Sequence, residues 1–331
     1  LMELLERSKR LNESTLRRYS RRAGPALGGL LGVLPQCGIS GAAATLFSTG
    51  SITVGTMLAV FFATSDEMLP ILLSSLTEQN GVGVRTLLLI VAAGPLPDIS
   101  KGQTRMDTLR QTIEIVKEIA KNIKSSGFDG IILSISNPAD VVTHYLQHAL
   151  SWDPKRILST STTLDSARLR RAIAEEIGID QKSIQAYALG EHGESQMVPW
   201  SAVTIAGKPL SQLREEYPDT YGKLDLPAIA AAGKAGGWII LGGKGSTEFG
   251  IGAAIAEVTR ALFGDEHRIL PVSVLLDGQY GQHNVYASVP AVLGADGVEQ
   301  IIELNLTPEE QAQFDASCKT MQENFDLALT L

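Results

Sequence analysis

The fold turns on Gly130-Ile131-Ile132-Leu133-Ser134-Ile135-Ser136, which runs directly into Asn137-Pro138. A short apolar run closed by a turn-forming pair reads as a strand buried on both faces. Upstream, Leu87-Leu88-Leu89-Ile90-Val91-Ala92-Ala93-Gly94 has the same character and ends in a glycine turn. Between them Ile113, Ile115, Val116, Ile119, Ala120 and Ile123 recur at helical spacing, which predicts a helix from about Arg105 to Ser125. Strand, helix, strand is a βαβ unit, with parallel strands and a right-handed crossover. Ligands on such sheets gather at the carboxyl ends of the strands, where Gly94 and Asn137 stand. Residues 95–104, Pro-Leu-Pro-Asp-Ile-Ser-Lys-Gly-Gln-Thr, form a polar loop suited to act as a lid.

Downstream the pattern predicts helices over Ala139–Leu150 and Thr163–Ile177, with a short strand over Ile157–Thr160 between them. From Ile184 short strands and hairpins take over, with a turn at Ala206-Gly207. A helix rich in small residues is expected from about Thr247 to Leu262. Strands are expected over Ile269–Leu276, Tyr286–Val289 and Ala291–Gly294, and a charged helix over Pro308–Leu327.

The first quarter is different. Residues 1–22 are basic, with Arg7, Lys9, Arg10, Arg17, Arg18, Arg21 and Arg22, while Ala23 to Ser65 holds no charged residue. Residues 48–65 approach the ~20 apolar residues that a membrane span needs. The glycine-rich piece from Gly24 to Leu34 ends at Pro35-Gln36-Cys37-Gly38, as a broken membrane helix would. A buried soluble helix pair is the plainer alternative. Neither phosphate-binding pattern is met. At Gly24, Gly28, Gly29 and Gly32 the first glycine of G-x-G-x-x-G is replaced by Leu27, and Gly243-Lys244-Gly245 lacks the P-loop spacing.

The net charge of -8 argues against a nucleic-acid partner. Cys37 and Cys318 are far apart, which suits a reducing compartment without a disulfide framework. His144 and His148 stand at i and i+4, but without a neighbouring carboxylate or cysteine they read as a helix face, and no metal is expected.

Chemistry concentrates in a few polar residues. His192 stands between glycines in Gly190-Glu191-His192-Gly193-Glu194, and histidine is the side chain that titrates near neutral pH. Asp165 and Arg168 share one helix face at i and i+3. An imidazole backed by a carboxylate can pass a proton to a carbonyl oxygen, and a guanidinium binds a carboxylate with two parallel hydrogen bonds. Arg105, brought in by the lid, could polarise the carbonyl as water leaves. Each residue also fits a plain role: a surface ion pair, a helix cap, a turn asparagine.

Two resemblances follow. Pro35-Gln36-Cys37-Gly38-Ile39-Ser40-Gly41-Ala42-Ala43, Thr53 to Phe61 and Ala63 to Pro70 resemble a fragment of multi-spanning heavy-metal exporters. From about Leu88 onward the chain resembles the lactate/malate dehydrogenase family, in its bacterial L-lactate branch. The match is carried by Ala93-Gly94, Gly102-Gln103-Thr104-Arg105, Ser136-Asn137-Pro138-Ala139-Asp140, Leu164-Asp165-Ser166-Ala167-Arg168, Gly190-Glu191-His192-Gly193, Lys244-Gly245-Ser246-Thr247 and Pro271-Val272-Ser273.

This second resemblance implies that His192 donates and accepts the proton with Asp165 as its partner. Arg168 would clamp the substrate carboxylate and Arg105 would polarise the carbonyl. Asn137 and Thr247 would line the substrate site, and Gly94, Ser136, Asn137 and Thr160 would lie along NAD. The implied reaction is reversible hydride transfer between NADH and pyruvate, yielding L-lactate, in a cytoplasmic homo-oligomer, tetramer or dimer.

The expected class is therefore α/β: an incomplete Rossmann-like parallel sheet over 87–150, an α+β substrate domain over 151–331, and a helical membrane-like segment over 1–86. Membrane contact is expected from residues 1–75, with membrane association through 23–75 as the alternative location. The family's opening strand, glycine-rich loop and ribose-binding acid are not found in residues 1–86. The chain thus reads as a fusion, with weakened NAD binding as the consequence. The rivals are a transport protein with an inactive dehydrogenase-like tail and an inactive scaffold. Near Ile99, where substrates are sensed, there is no arginine, which disfavours malate. Arg170 matches one residue of the family's fructose 1,6-bisphosphate site, but Gln185 does not match the other.

Overall fold

The computed structural model describes residues 88–95, 106–244 and 247–331. The expected membrane-like segment over 1–86, membrane contact by residues 1–75, and the lid with Ile99 and Arg105 all lie outside the described residues.

Three strands, β1 (Leu88–Val91), β2 (Ile131–Ser134) and β3 (Ile157–Ser159), run parallel. Pairing Leu88 with Ile131 and Ile132 with Ile157 brings their carboxyl ends into line. Helix α1 (Leu109–Ser126) makes the first crossover, burying Leu109, Ile113, Val116, Ala120 and Ile123. It begins at Leu109, after a single 3-10 turn over Met106–Thr108, rather than at Arg105. It ends at Gly127, whose φ of 71° is the left-handed conformation of a helix stop. Helix α2 (Ala139–Leu150) follows β2, and the two helices share a core with Val91, Ile132, Tyr286 and Phe325.

The sheet is not a free-standing parallel half. It continues into β7 (Arg268–Asp277), β8 (His283–Gly294) and β9 (Gly297–Ile301), in the order β1-β2-β3-β7-β8-β9. The join is antiparallel, at Ser159 opposite Ser273. The expected parallel sheet is thus a mixed one that crosses the expected domain boundary at 150/151. Local pattern is blind to this pairing, because the partners are more than a hundred residues apart. β8 is also continuous where two strands were predicted. Pro290 faces Pro271 across the ladder, and two prolines can oppose each other only at a non-hydrogen-bonded pair, where neither N–H is needed.

A second sheet joins β4 (Ile184–Gln185), β5 (Thr204–Ile205) and β6 (Lys208–Pro209), with β5 and β6 linked by the turn at Ala206 and Gly207. It packs with α3 (Thr163–Ile177) and α4 (Leu210–Glu216) in a core of its own that includes Leu169, Ile173, Val203 and Leu213. The remaining helices are α5 (Leu226–Lys244), α6 (Phe249–Phe263) and α7 (Pro308–Thr330). α7 starts on a capping box in which Thr307 and Glu310 bond each other's backbone N–H. Among the described residues, α5 alone is long and apolar enough to cross a membrane by length and composition. Its Gly233 lies against Leu169 of α3.

Candidate active site

The parallel strands end together, and their ends form one wall of a cavity of about 330 Å³. Ala92, Ala93, Gly94 and Pro95 follow β1; Ile135 and Asn137 follow β2; Thr160 and Ser161 follow β3. Gly94 has a φ of 97°, and a Cβ there would lie 2.3 Å from Thr112 Oγ1. Only glycine fits, because a side chain would collide with the buried Thr112 of α1. Asn137 Oδ1 is buried and without a hydrogen-bond partner. A buried acceptor without a donor costs free energy, and this one belongs to a residue that lines the cavity. Ser136 is not in the wall. It is almost fully buried, accepts from the Ala93 N–H at 2.8 Å and donates to Val91 O at 3.3 Å. Its hydroxyl splices the ends of β1 and β2 instead of facing the cavity.

The opposite wall carries the charge. Leu164 and Arg168 come from α3, His192 from a loop, Gly237, Trp238 and Leu241 from α5, Thr247 from just before α6 and Ile251 from its first turn. Asp165 stands in the first turn of α3 and is only 4% exposed. One of its oxygens bonds His192 Nδ1, and the other accepts from Arg168 Nη1 at 3.1 Å. One carboxylate thus fixes both the imidazole and the guanidinium. Arg168 lies along two helix-interior glycines: Cβ atoms at Gly236 and Gly237 would stand 3.1 Å from its Cδ and 3.3 Å from its Nη1. Glycine in a helix interior costs about 1 kcal/mol relative to alanine, and here it makes room for the arginine.

The histidine loop is held at several points. Leu189 and Met197 exchange backbone hydrogen bonds of 2.8 and 3.0 Å, which closes the loop. Gly190 exchanges bonds of 3.0 and 2.9 Å with Ser288 of β8. The Glu191 N–H donates to Ser317 Oγ of α7 at 3.0 Å. The His192 N–H donates to Asp140 Oδ2 at 2.8 Å, and Ser161 donates to Asp140 Oδ1 at 2.8 Å. Burial pushes the Asp140 carboxyl above its ordinary range, and hydrogen bonds to it act in the opposite direction.

The structure therefore brings Gly94, Asn137, Thr160, Arg168, His192 and Thr247 to one cavity, with Asp165 directly behind His192. Arg105 lies outside the described residues. Sequence reading missed Asp140, Ser161, Trp238 and Leu241. Asp140 was visible as an acidic residue in the first turn of a helix, but its burial was not. α5 escaped notice because it is apolar and glycine-rich on most sides, without a polar–apolar stripe.

Comparison with known proteins agrees with this geometry. The family model for the lactate/malate dehydrogenase NAD binding domain matches residues 77–159, and that for the alpha/beta C-terminal domain matches residues 162–331. The first match takes in residues 77–86, which had been read with the membrane-like segment. The chain is 42% identical over 230 residues to L-lactate dehydrogenase 3 of Bacillus thuringiensis subsp. konkukian, spanning 70% of this chain and 72% of that protein. A lactate dehydrogenase from a Medee basin deep-sea metagenome library superposes with a TM-score of 0.68 at 38% identity, over 73% of this chain and 76% of that one. The minor L-lactate dehydrogenase of Enterococcus mundtii, in its ligand-bound form, superposes with a TM-score of 0.68 at 34% identity, over 72% and 76%. The chain belongs to the lactate/malate dehydrogenase family. It is an L-lactate dehydrogenase-like, NAD-dependent oxidoreductase.

Proposed function

We propose that this chain interconverts pyruvate and L-lactate, with His192, Asp165 and Arg168 as the working set. The observation that carries the reading is the single carboxylate of Asp165 that bonds both the imidazole and the guanidinium at one cavity wall. Arg168 presents its fork to the substrate carboxylate and sets the orientation of the oxo group. His192, whose Nδ1 is bonded to Asp165, gives a proton from Nε2 to the carbonyl oxygen and takes it back in the reverse direction. Asp165 stabilises the imidazolium and keeps the ring aimed. Arg105 polarises the carbonyl from the lid, and Asn137 and Thr247 complete the substrate wall.

Residues present at the strand ends fit NAD. Gly94 and Asn137 line the cavity at the strand ends, and the unpaired acceptor of Asn137 suits the N–H of an amide such as a nicotinamide carboxamide. Thr160 lies beside them, and Ser136 acts by joining the strand ends. When bound, the nicotinamide supplies the hydride that goes to the carbonyl carbon. The domains we assign are 87–150 for the cofactor and 151–331 for the substrate. Ile239 of α5 is 69% exposed, and the apolar face around it is where a second copy would pack in a cytoplasmic homo-oligomer.

Purified full chain is assayed for NADH oxidation by pyruvate, and NADH binding is titrated alongside. His192→Asn is expected to lower turnover by roughly 10²–10⁴-fold without changing NADH affinity. Parental turnover in that variant would refute the assignment.

A further inference from the structure

The large apolar side chains of the helical wall have no task in the proposed mechanism. Leu164 of α3, Trp238 and Leu241 of α5 and Ile251 of α6 all line the cavity, and each is half-buried. Two of them stand in a fixed relation to Arg168. Leu164 precedes Arg168 by four residues on α3, so it shares that helix face about 6 Å along the axis. It packs against α6, where a Cβ on Gly250 would stand 3.0 Å from its Cδ1. On α5 the guanidinium lies beside Gly237, whose Cβ would stand 3.3 Å from Nη1. Leu241 follows Gly237 by four residues, again on the same face and one turn away. The guanidinium thus stands at the end of a trough whose sides, drawn from three helices, are apolar.

We infer that this site takes monocarboxylic 2-oxo acids with an alkyl side chain longer than methyl, and that Leu241 and Leu164 set that preference. The inference rests on the proposed roles of Arg168 and His192. With the substrate carboxylate on the Arg168 fork and the oxo oxygen at His192, the carbons beyond C2 are the part left to vary. The reacting atoms stay the same: C2 gains the hydride and the oxo oxygen gains the proton, so each 2-oxo acid gives the matching 2-hydroxy acid. The methyl of pyruvate ends two bonds of ~1.5 Å from its carboxyl carbon. Leu241 and Leu164 stand a full helical turn, about 5.4 Å, from the residues that flank the guanidinium. A side chain of three or four carbons spans that distance and covers their apolar surface. A second carboxylate would not be matched there. Among the described residues that line the cavity, Arg168 is the one guanidinium and none is lysine, and an unpaired carboxylate is costly to bury against apolar side chains.

The full chain is assayed with NADH and, in turn, pyruvate, 2-oxobutanoate, 2-oxopentanoate and 4-methyl-2-oxopentanoate. From one acid to the next kcat/KM is expected to rise about fourfold per added methylene, the factor that burial of one CH2 supplies. The value for 4-methyl-2-oxopentanoate should exceed that for pyruvate by about tenfold or more. Leu241→Asn, close in shape but polar, should cut that ratio by roughly tenfold, and Leu241→Met should restore it. A fault in folding alone would lower kcat/KM for all four acids by one factor and leave the ratio in place. Binding is also read without turnover, from the emission of Trp238, identified as the signal missing in Trp238→Phe. 4-Methyl-2-oxopentanoate should perturb it at about tenfold lower concentration than pyruvate. Turnover of pyruvate with a ratio at or below one, or a reversed order in the emission titration, overturns the inference and leaves the site reading in place. A ratio that Leu241→Asn does not move removes Leu241 from the preference. Failure to reduce any of the four acids, with no change in emission, would overturn the site reading and the inference with it.

Discussion

The two walls of the cavity are built on opposite principles. The strand-end wall is backbone and small side chains, with Gly94 held in a left-handed conformation and Asn137 Oδ1 left open. The helical wall has its charges already engaged: Asp165 bonds His192 and Arg168, and outside the cavity Asp140 holds the His192 main chain. One wall has an acceptor that waits for a ligand, and the other has its charges arranged before any ligand arrives. Preorganisation of charge is what a proton transfer requires, because reorienting dipoles during the reaction raises the barrier.

The sharpest way to break this contrast is at Asp165. Asp165→Asn should release both cations of the helical wall at once. Turnover should fall by roughly 10³-fold or more, and KM for pyruvate should rise because Arg168 loses its anchor. Steady-state kinetics at saturating NADH check this. If KM stays at the parental value, the guanidinium is held by something other than this carboxylate.

The strand-end wall is tested by Gly94→Ala. The added Cβ would sit 2.3 Å from Thr112 Oγ1 at a residue with φ of 97°. The two faults together should cost on the order of 2–3 kcal/mol of stability and weaken NADH binding. Urea denaturation and NADH titration read the two effects separately. Parental affinity for NADH in the alanine variant would remove Gly94 from the cofactor wall.

A pH-dependent effect, confined to acid conditions, comes from the middle of α2. His144 is buried and stacked on Phe325 of α7 with ring centroids 3.5 Å apart. Burial pulls its pKa down to about 4, with His148 adding to the shift and Asn284 and Asp326 opposing it. The unfolded chain, with an ordinary histidine near 6.5, therefore takes up a proton first as pH falls. Stability from this site is complete above about 6.5 and is lost between there and about 4. The loss approaches about 3 kcal/mol at the lower end. His144→Phe should flatten that part of the stability–pH curve, and an unchanged slope would exclude His144 as its source. The same helix thus buries a carboxylate held by donors in its first turn and a neutral imidazole one turn further on.

Much of this could be read locally. The apolar runs at 88–91 and 131–134 predict β1 and β2, and the spacing of Ile113, Val116, Ala120 and Ile123 predicts α1. The turn at Ala206 and Gly207 was visible from its residues, and both have positive φ. The start of α1 was placed too early, since Met106–Thr108 forms a 3-10 turn before the helix proper. α5 was not found, because glycine and apolar residues alternate there without a polar face. Its Gly236 and Gly237 acquire meaning only against Arg168, which belongs to another helix.

Sequence alone determined the periodic elements and the acidic balance, and singled out a histidine, an aspartate and an arginine as candidates for acid–base work on a small acid. Tertiary structure alone decided that the parallel strands run on into β7, that Ser136 splices strands instead of lining the cavity, and that Asp140 holds the His192 loop. The physical reason is range. Helical and strand periods are set by neighbours a few residues apart, whereas a buried carboxylate's partner 52 residues away is selected only when the packed chain excludes water from both.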